Sequence, residues 1–197
     1  MFSVAATPPW SLWDGKDYKN MSDQDEAKFR MIEYHKWKFK AKIFSPLAPL
    51  TVKRTPVLMT RVEYGFLGSY NKYKKSPFET FYMGGDGMSG YSSTYATETI
   101  GLRGYENGSI AGNGGYNSYG YAYSRLSMEL RYPFLLEPSS TIYGLVFVEA
   151  GNAWRDLKDF NPFQLKRSAG VGVRIFLPMI GLMGIDWAYG FDRPDGY

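Results

Sequence analysis

The residue with the most to offer chemically is Arg103, set in Gly101-Leu102-Arg103-Gly104-Tyr105-Glu106-Asn107. Its guanidinium is a rigid planar fork of donors that can hold two carboxylates at once. Gly101 and Gly104 permit unusual backbone angles and close approach. Two carboxylates stand downstream, Glu129 and Glu149, each on a segment that alternates like a strand. What this constellation offers is noncovalent: a charged brace between a loop and two strands. The alternative is a solvated loop arginine. Glu129 and Glu149 could as a pair serve acid–base catalysis, but no nucleophile is assembled around them. The chain has no Cys and a single His, His35, so thiolate sites and a His-built zinc site are excluded. The expectation is a protein that is not an enzyme, with no cofactor and no metal.

Other motifs carry less. Gly85-Asp86-Gly87-Met88-Ser89-Gly90 has the spacing of a dinucleotide fingerprint. It neither follows a buried strand nor opens a periodic helix, so it reads as loop glycines. Asn107-Gly108-Ser109 is a glycosylation sequon by pattern only. The Tyr- and Gly-rich run 114–120 could stack single-stranded nucleic acid, although aromatic residues entering a strand account for it. Lys36, Lys38, Lys40 and Lys42 could line a nucleic-acid backbone. Strand alternation, however, turns them toward the same space as Arg61, Glu63 and Asp186, and mixed signs argue for a wet interior. No nucleic-acid partner is expected, and a net charge of +4 demands none.

The elements that must position Arg103 are strands. Aromatics are 18% of the chain, with 22 Gly, a composition suited to aromatic-rich strands and tight turns. Alternation is clearest over 28–43, far beyond the usual strand of about five or six residues. The lysine face there cannot enter a packed core; the other face carries Trp37 and Phe39 toward something apolar. Further strands are expected over 1–7, 56–68, 121–132, 141–154, 166–177 and 182–192. Segment 141–154 alternates poorly, apolar on both faces except at Glu149. Val171, Val173, Ile185, Trp187 and Tyr189 are expected to face outward to lipid, with Asp186 and Arg174 inward.

No run approaches the roughly 18 apolar residues of a membrane helix, but barrel strands of about 9–11 residues also span. Short turns at one end alternate with long loops at the other, at 8–26, 68–119 and 155–165. That asymmetry is the pattern of an outer-membrane barrel. The chain has no signal-peptide pattern after Met1, which points to the cytosol or to a piece lacking its true N-terminus. The expected fold class is all-β: an antiparallel transmembrane β-barrel in one domain, with residues 68–119 a long inward-folded loop.

With these residues in view, the sequence resembles the C-terminal part of the barrel of the BamA family of outer-membrane protein insertases, within the BamA–TamA superfamily. Leu102-Arg103-Gly104-Tyr105 is similar to the family's Val/Ile-Arg-Gly-Phe/Tyr loop signature. Phe81-Tyr82-Met83-Gly84-Gly85 is similar to its Phe-Tyr-x-Gly-Gly. Ser127-Met128-Glu129-Leu130 and Phe147-Val148-Glu149-Ala150-Gly151-Asn152-Ala153-Trp154 follow in the family's order. Ser168-Ala169-Gly170-Val171-Gly172, then Leu177-Pro178, resembles its penultimate hairpin. Two departures stand out: the loop is longer between Gly85 and Arg103, and Glu149 stands where Asp is familiar.

The resemblance implies about seven strands of a sixteen-stranded barrel, braced by Arg103, Gly104 and Tyr105 against Glu129 and Glu149. It implies a location in the cell outer membrane. There the barrel would insert and fold nascent outer-membrane proteins through a lateral seam, without covalent catalysis. Implied partners are outer-membrane lipids, nascent outer-membrane proteins, and periplasmic or lipoprotein accessory subunits. The rival readings are a TamA-like or two-partner-secretion transporter, a passive channel, and a soluble β-sandwich binding module.

Overall fold

A computed structural model describes all residues except 23–24, 50, 52, 88–97, 111–118, 138 and 194–197. In chain order its strands are β1 (Phe2–Ala6), β2 (His35–Pro46), β3 (Val57–Gly68), β4 (Phe81–Met83), β5 (Glu98–Ile100), β6 (Ala122–Glu137), β7 (Ser140–Trp154), β8 (Lys166–Leu177) and β9 (Gly181–Gly190). Two single-turn helices, α1 (Trp10–Trp13) and α2 (Glu26–Phe29), lie between β1 and β2. Seven strands form one sheet in the order β1-β2-β3-β6-β7-β8-β9, every neighbouring pair antiparallel. β4 and β5 pair parallel in a separate two-stranded sheet. No helix among the described residues is long and apolar enough to cross a membrane.

The period-two pattern explains why these segments are strands and which way they face. Trp37, Phe39, Val171, Val173, Ile185, Trp187 and Tyr189 are all exposed, on the face opposite Arg174 and Asp186. The polar face is covered by the long connection between β3 and β6. A core of Leu67, Phe81, Met83, Ile100, Leu102, Tyr105, Ile110, Tyr123 and Ala153 forms between that connection and the sheet. The apolar residues that spoil the alternation of β7, Leu145 and Phe147, are buried on this inner face. Inner-face glycines clear a path for the loop: a Cβ on Gly65 would strike the Tyr123 and Phe81 rings, and one on Gly151 would meet the Met83 methyl at 2.4 Å.

The expected strand over 28–43 is corrected at its start, because β2 begins at His35. Residues 28–34 continue the alternation on paper, but local capture overrides it. Asp25 caps α2 by accepting from the Ala27 N–H. Glu33 is buried and accepts from the Ser11 N–H at 2.8 Å and the Ser11 hydroxyl at 2.5 Å, with Lys74 3.8 Å away. Lys28 is buried rather than wet. β6 runs on to Glu137, through an irregularity between Pro133 and Leu135. The 68–119 connection is not structureless, since it carries β4 and β5. Met88 to Gly90, most of the Tyr- and Gly-rich run, and residues 195–197 lie outside the described residues.

Candidate functional site

The site grows from a line of residues that antiparallel register places side by side. Arg61 on β3 pairs with Ser127 on β6, Ser127 with Glu149 on β7, and Glu149 with Ser168 on β8. One strand pitch away, Glu129 pairs with Phe147, and Phe147 with Gly170. A one-residue slip of β7 would carry Glu149 to the outer face, so the register itself holds the carboxylate inside.

Arg103 descends onto this line from the loop. Its Nη2 donates to Glu129 Oε1 at 2.6 Å and to Glu149 Oε1 at 2.8 Å. Nη1 donates to Asp186 Oδ2 at 3.1 Å, and the backbone N–H donates to Glu149 Oε2 at 2.9 Å. The guanidinium carbon lies over the Phe147 ring, 3.5 Å from its centre, a cation–π contact that favours the delocalised charge. One loop residue therefore touches β6, β7 and β9.

Each carboxylate has a second cation. Arg125 Nη2 reaches Glu149 at 2.8 Å, and the Ser127 hydroxyl donates to it at 3.1 Å. Arg131 Nη2 reaches Glu129 at 2.5 Å. Arg174 grips Asp186 with both terminal nitrogens at 2.6 Å. With Glu63, 3.8 Å from Arg125, four carboxylates face four guanidiniums, and Arg61 on β3 adds a fifth cation beside them. Each carboxylate thus keeps a cation close by, which lets charges survive on a partly buried surface.

The residues around Arg103 fix its height. Gly104 has φ +90, and a Cβ there would sit 2.8 Å from the Gly190 nitrogen. Its carbonyl accepts from Arg193 Nη2 at 2.8 Å. The Tyr105 hydroxyl donates to the Arg167 carbonyl at 2.6 Å and accepts from the Asp192 N–H at 3.2 Å. Phe81 and Tyr82 are buried, and the Tyr82 hydroxyl donates to the Asn107 carbonyl at 3.2 Å. Gly84 and Gly85 both take positive φ, and the Gly85 N–H donates to the Tyr105 carbonyl at 3.0 Å. The two loop motifs are thus folded onto each other.

Arg103, Glu129 and Glu149 meet in the structure. Asp186, Phe147, Arg125, Arg131 and Arg174 join them, and sequence reasoning did not place these five at the brace. Asp186 and Arg174 were already inward by parity, and the apolar character of both faces of 141–154 was noted without singling out Phe147. No cluster of three or more metal-ligating side chains occurs among the described residues.

Residues 27–197 match the Omp85 superfamily domain. The chain belongs to the Omp85 superfamily. No curated protein matches it. Among solved structures, the Omp85 chain is similar to BamA from Haemophilus ducreyi lacking POTRA domains 1–3, with a TM-score of 0.59 and 21% identity. The match covers 82% of this chain and 32% of that one, so the chain spans about a third of the solved relative's length. The seven-stranded open sheet is part of an Omp85-family outer-membrane β-barrel of BamA-like fold. The Arg103 loop lies against the charged face of that sheet.

Proposed function

We propose that this chain is the C-terminal part of the barrel of an Omp85 insertase, which folds nascent outer-membrane proteins into the outer membrane without covalent chemistry. The observation that carries the reading is Arg103 held at once by Glu129, Glu149 and Asp186, on three different strands. A lumen occupied by a charge-pinned loop suits a barrel whose wall must flex without losing register. It does not suit a passive channel, which needs a free bore. In this reading the long-loop end faces the cell exterior, the outer-face aromatics meet lipid, and accessory periplasmic or lipoprotein subunits meet parts of the full protein beyond this chain.

The test is reconstitution of the full-length protein into phospholipid vesicles with an unfolded outer-membrane barrel as client. Client folding is read from the gel-mobility difference between folded and heat-denatured barrels. Faster folding than in protein-free vesicles is expected. No acceleration, with passage of a soluble passenger across the membrane, would assign the chain to the secretion branch. Steady ion conductance without insertion would make it a channel.

A further inference from the structure

Three lysines of the β2 row meet loop carboxylates, whereas Lys42 is exposed. Lys36 Nζ lies 3.0 Å from Glu79 Oε2 and 3.1 Å from Glu98 Oε2. Lys38 Nζ lies 3.0 Å from the same Glu98 oxygen, and Lys40 Nζ 3.5 Å from Glu98 Oε1. The Lys36 side chain is only 4% exposed, and its Nζ sits 4.8 Å from the centre of the Phe81 ring. Glu79 is the one non-glycine residue with positive φ, +65, among the described residues. L side chains disfavour that backbone, yet from it the Glu79 carboxylate reaches Lys36.

Glu98 and Arg103 are five positions apart. An extended chain covers about 17 Å over that distance. From β2 to β7 the sheet advances through three strand spacings, about 14 Å. Lys40 is level with Gly151 and Lys38 with Ala153, two and four residues along β7 from Glu149, so the span is diagonal and the Glu98 and Arg103 side chains complete the reach of the backbone.

We propose that Lys36, Lys38 and Lys40 are a second anchorage for the inward loop, with Glu98 as its positioning residue and Glu79 beside it. The loop then crosses the lumen wall between two clamps of opposite polarity. At one end a loop cation sits among wall carboxylates; at the other, loop carboxylates sit among wall cations. Direction is fixed as well as position. A reversed loop would set Arg103 against lysines, which repel it, and would leave Glu129, Glu149 and Asp186 without the loop cation that bridges all three. The inference concerns how the loop is held and does not rest on the insertase reading.

Hydrogen–deuterium exchange on the full-length protein in detergent micelles tests it, with Glu98→Gln and Glu98→Lys as variants. In Glu98→Lys, β4 and β5 amides are expected to exchange about tenfold faster or more, as local opening becomes easier. Glu98→Gln gives a smaller rise, and β3 and β6 amides keep their protection in both. Salt at 1 M, where screening length falls to about 3 Å, is expected to speed β4 and β5 in the unaltered protein. Unchanged β4 and β5 exchange in Glu98→Lys would overturn the anchorage. So would equal loss in β3 and β6, because Glu98 would then support the whole sheet and not the loop's place on it. If Glu98→Lys does not fold, Glu98→Gln and the salt series decide, and no change in either rejects the proposal.

Discussion

Two ends of one short stretch of the loop, Glu98 and Arg103, are charged in opposite senses, and their settings are built from different materials. Around Arg103 the wall carboxylates are short or well packed, and the cation is a planar fork with its side chain 13% exposed. Around Glu98 the wall groups are ammoniums on long stems, and Lys38 and Lys40 are 28% and 36% exposed. A guanidinium fixes direction through several aligned hydrogen bonds, whereas an ammonium is a rotatable point charge. The first end is suited to hold one geometry. The second can keep contact while the loop shifts by a fraction of a strand pitch.

The sharpest way to break the contrast is Arg103→Ala. It strips Glu149, whose side chain is fully buried, of its bond to the loop. Removing one partner of a buried ion pair costs about 3–5 kcal/mol. Arg125 and Arg131 remain on Glu149 and Glu129, so the low end, about 3 kcal/mol, is expected. The denaturant midpoint of the full-length protein in detergent measures this. A midpoint equal to that of the unaltered protein would mean the hub adds nothing to stability.

Gly104→Ala sharpens the same end without touching a charge. Its φ of +90 and the 2.8 Å approach to the Gly190 nitrogen leave no room for a methyl. Strain of about 1–3 kcal/mol is expected, and exchange should rise around Tyr105. Full stability with unchanged exchange there would mean that the loop height is not set at Gly104.

The smallest effect belongs to pH at the other end. Burial pushes the Glu98 carboxyl up, but hydrogen bonds and charge from Lys38 and Lys36 outweigh it, and the net shift is downward. A carboxylate whose folded value is depressed stabilises fully above its unfolded value, near about 4.3. The contribution fades as pH falls through the lower folded value. Exchange of β5 amides should therefore be constant from neutral pH to about 5 and accelerate below about 4, after correction for intrinsic rates. Glu98→Gln should remove this acid limb. An acid limb that persists in Glu98→Gln would place the titrating group elsewhere.

Much of the first end was legible in the sequence. Arg103 beside Gly104, and Glu129 and Glu149 at inward parity on the next two strands, need only alternation and chain order. Asp186 was legible as an inward acid, but not as a partner of Arg103. It lies 83 residues along the chain, and only sheet order brings β9 near the loop. The second end was missed because alternation says which way Lys36, Lys38 and Lys40 point but not what covers them. Glu98 follows a stretch with no strand signal. The misplaced start of β2 has a related root: Glu33 falls at the parity of the apolar Trp37 and Phe39, and the partners that bury it, Ser11 in α1 and Lys74 after β3, are remote in the chain.

The path of the loop is recorded in the wall as missing atoms. Gly65, Gly151 and Gly190 leave space where Phe81, Met83 and Tyr105 lie, and a Cβ at Gly190 would stand 2.6 Å from the Gly104 carbonyl. Loop and wall therefore fit as a mould and its casting: a side chain added at any of these three wall positions would push out the loop residue it faces.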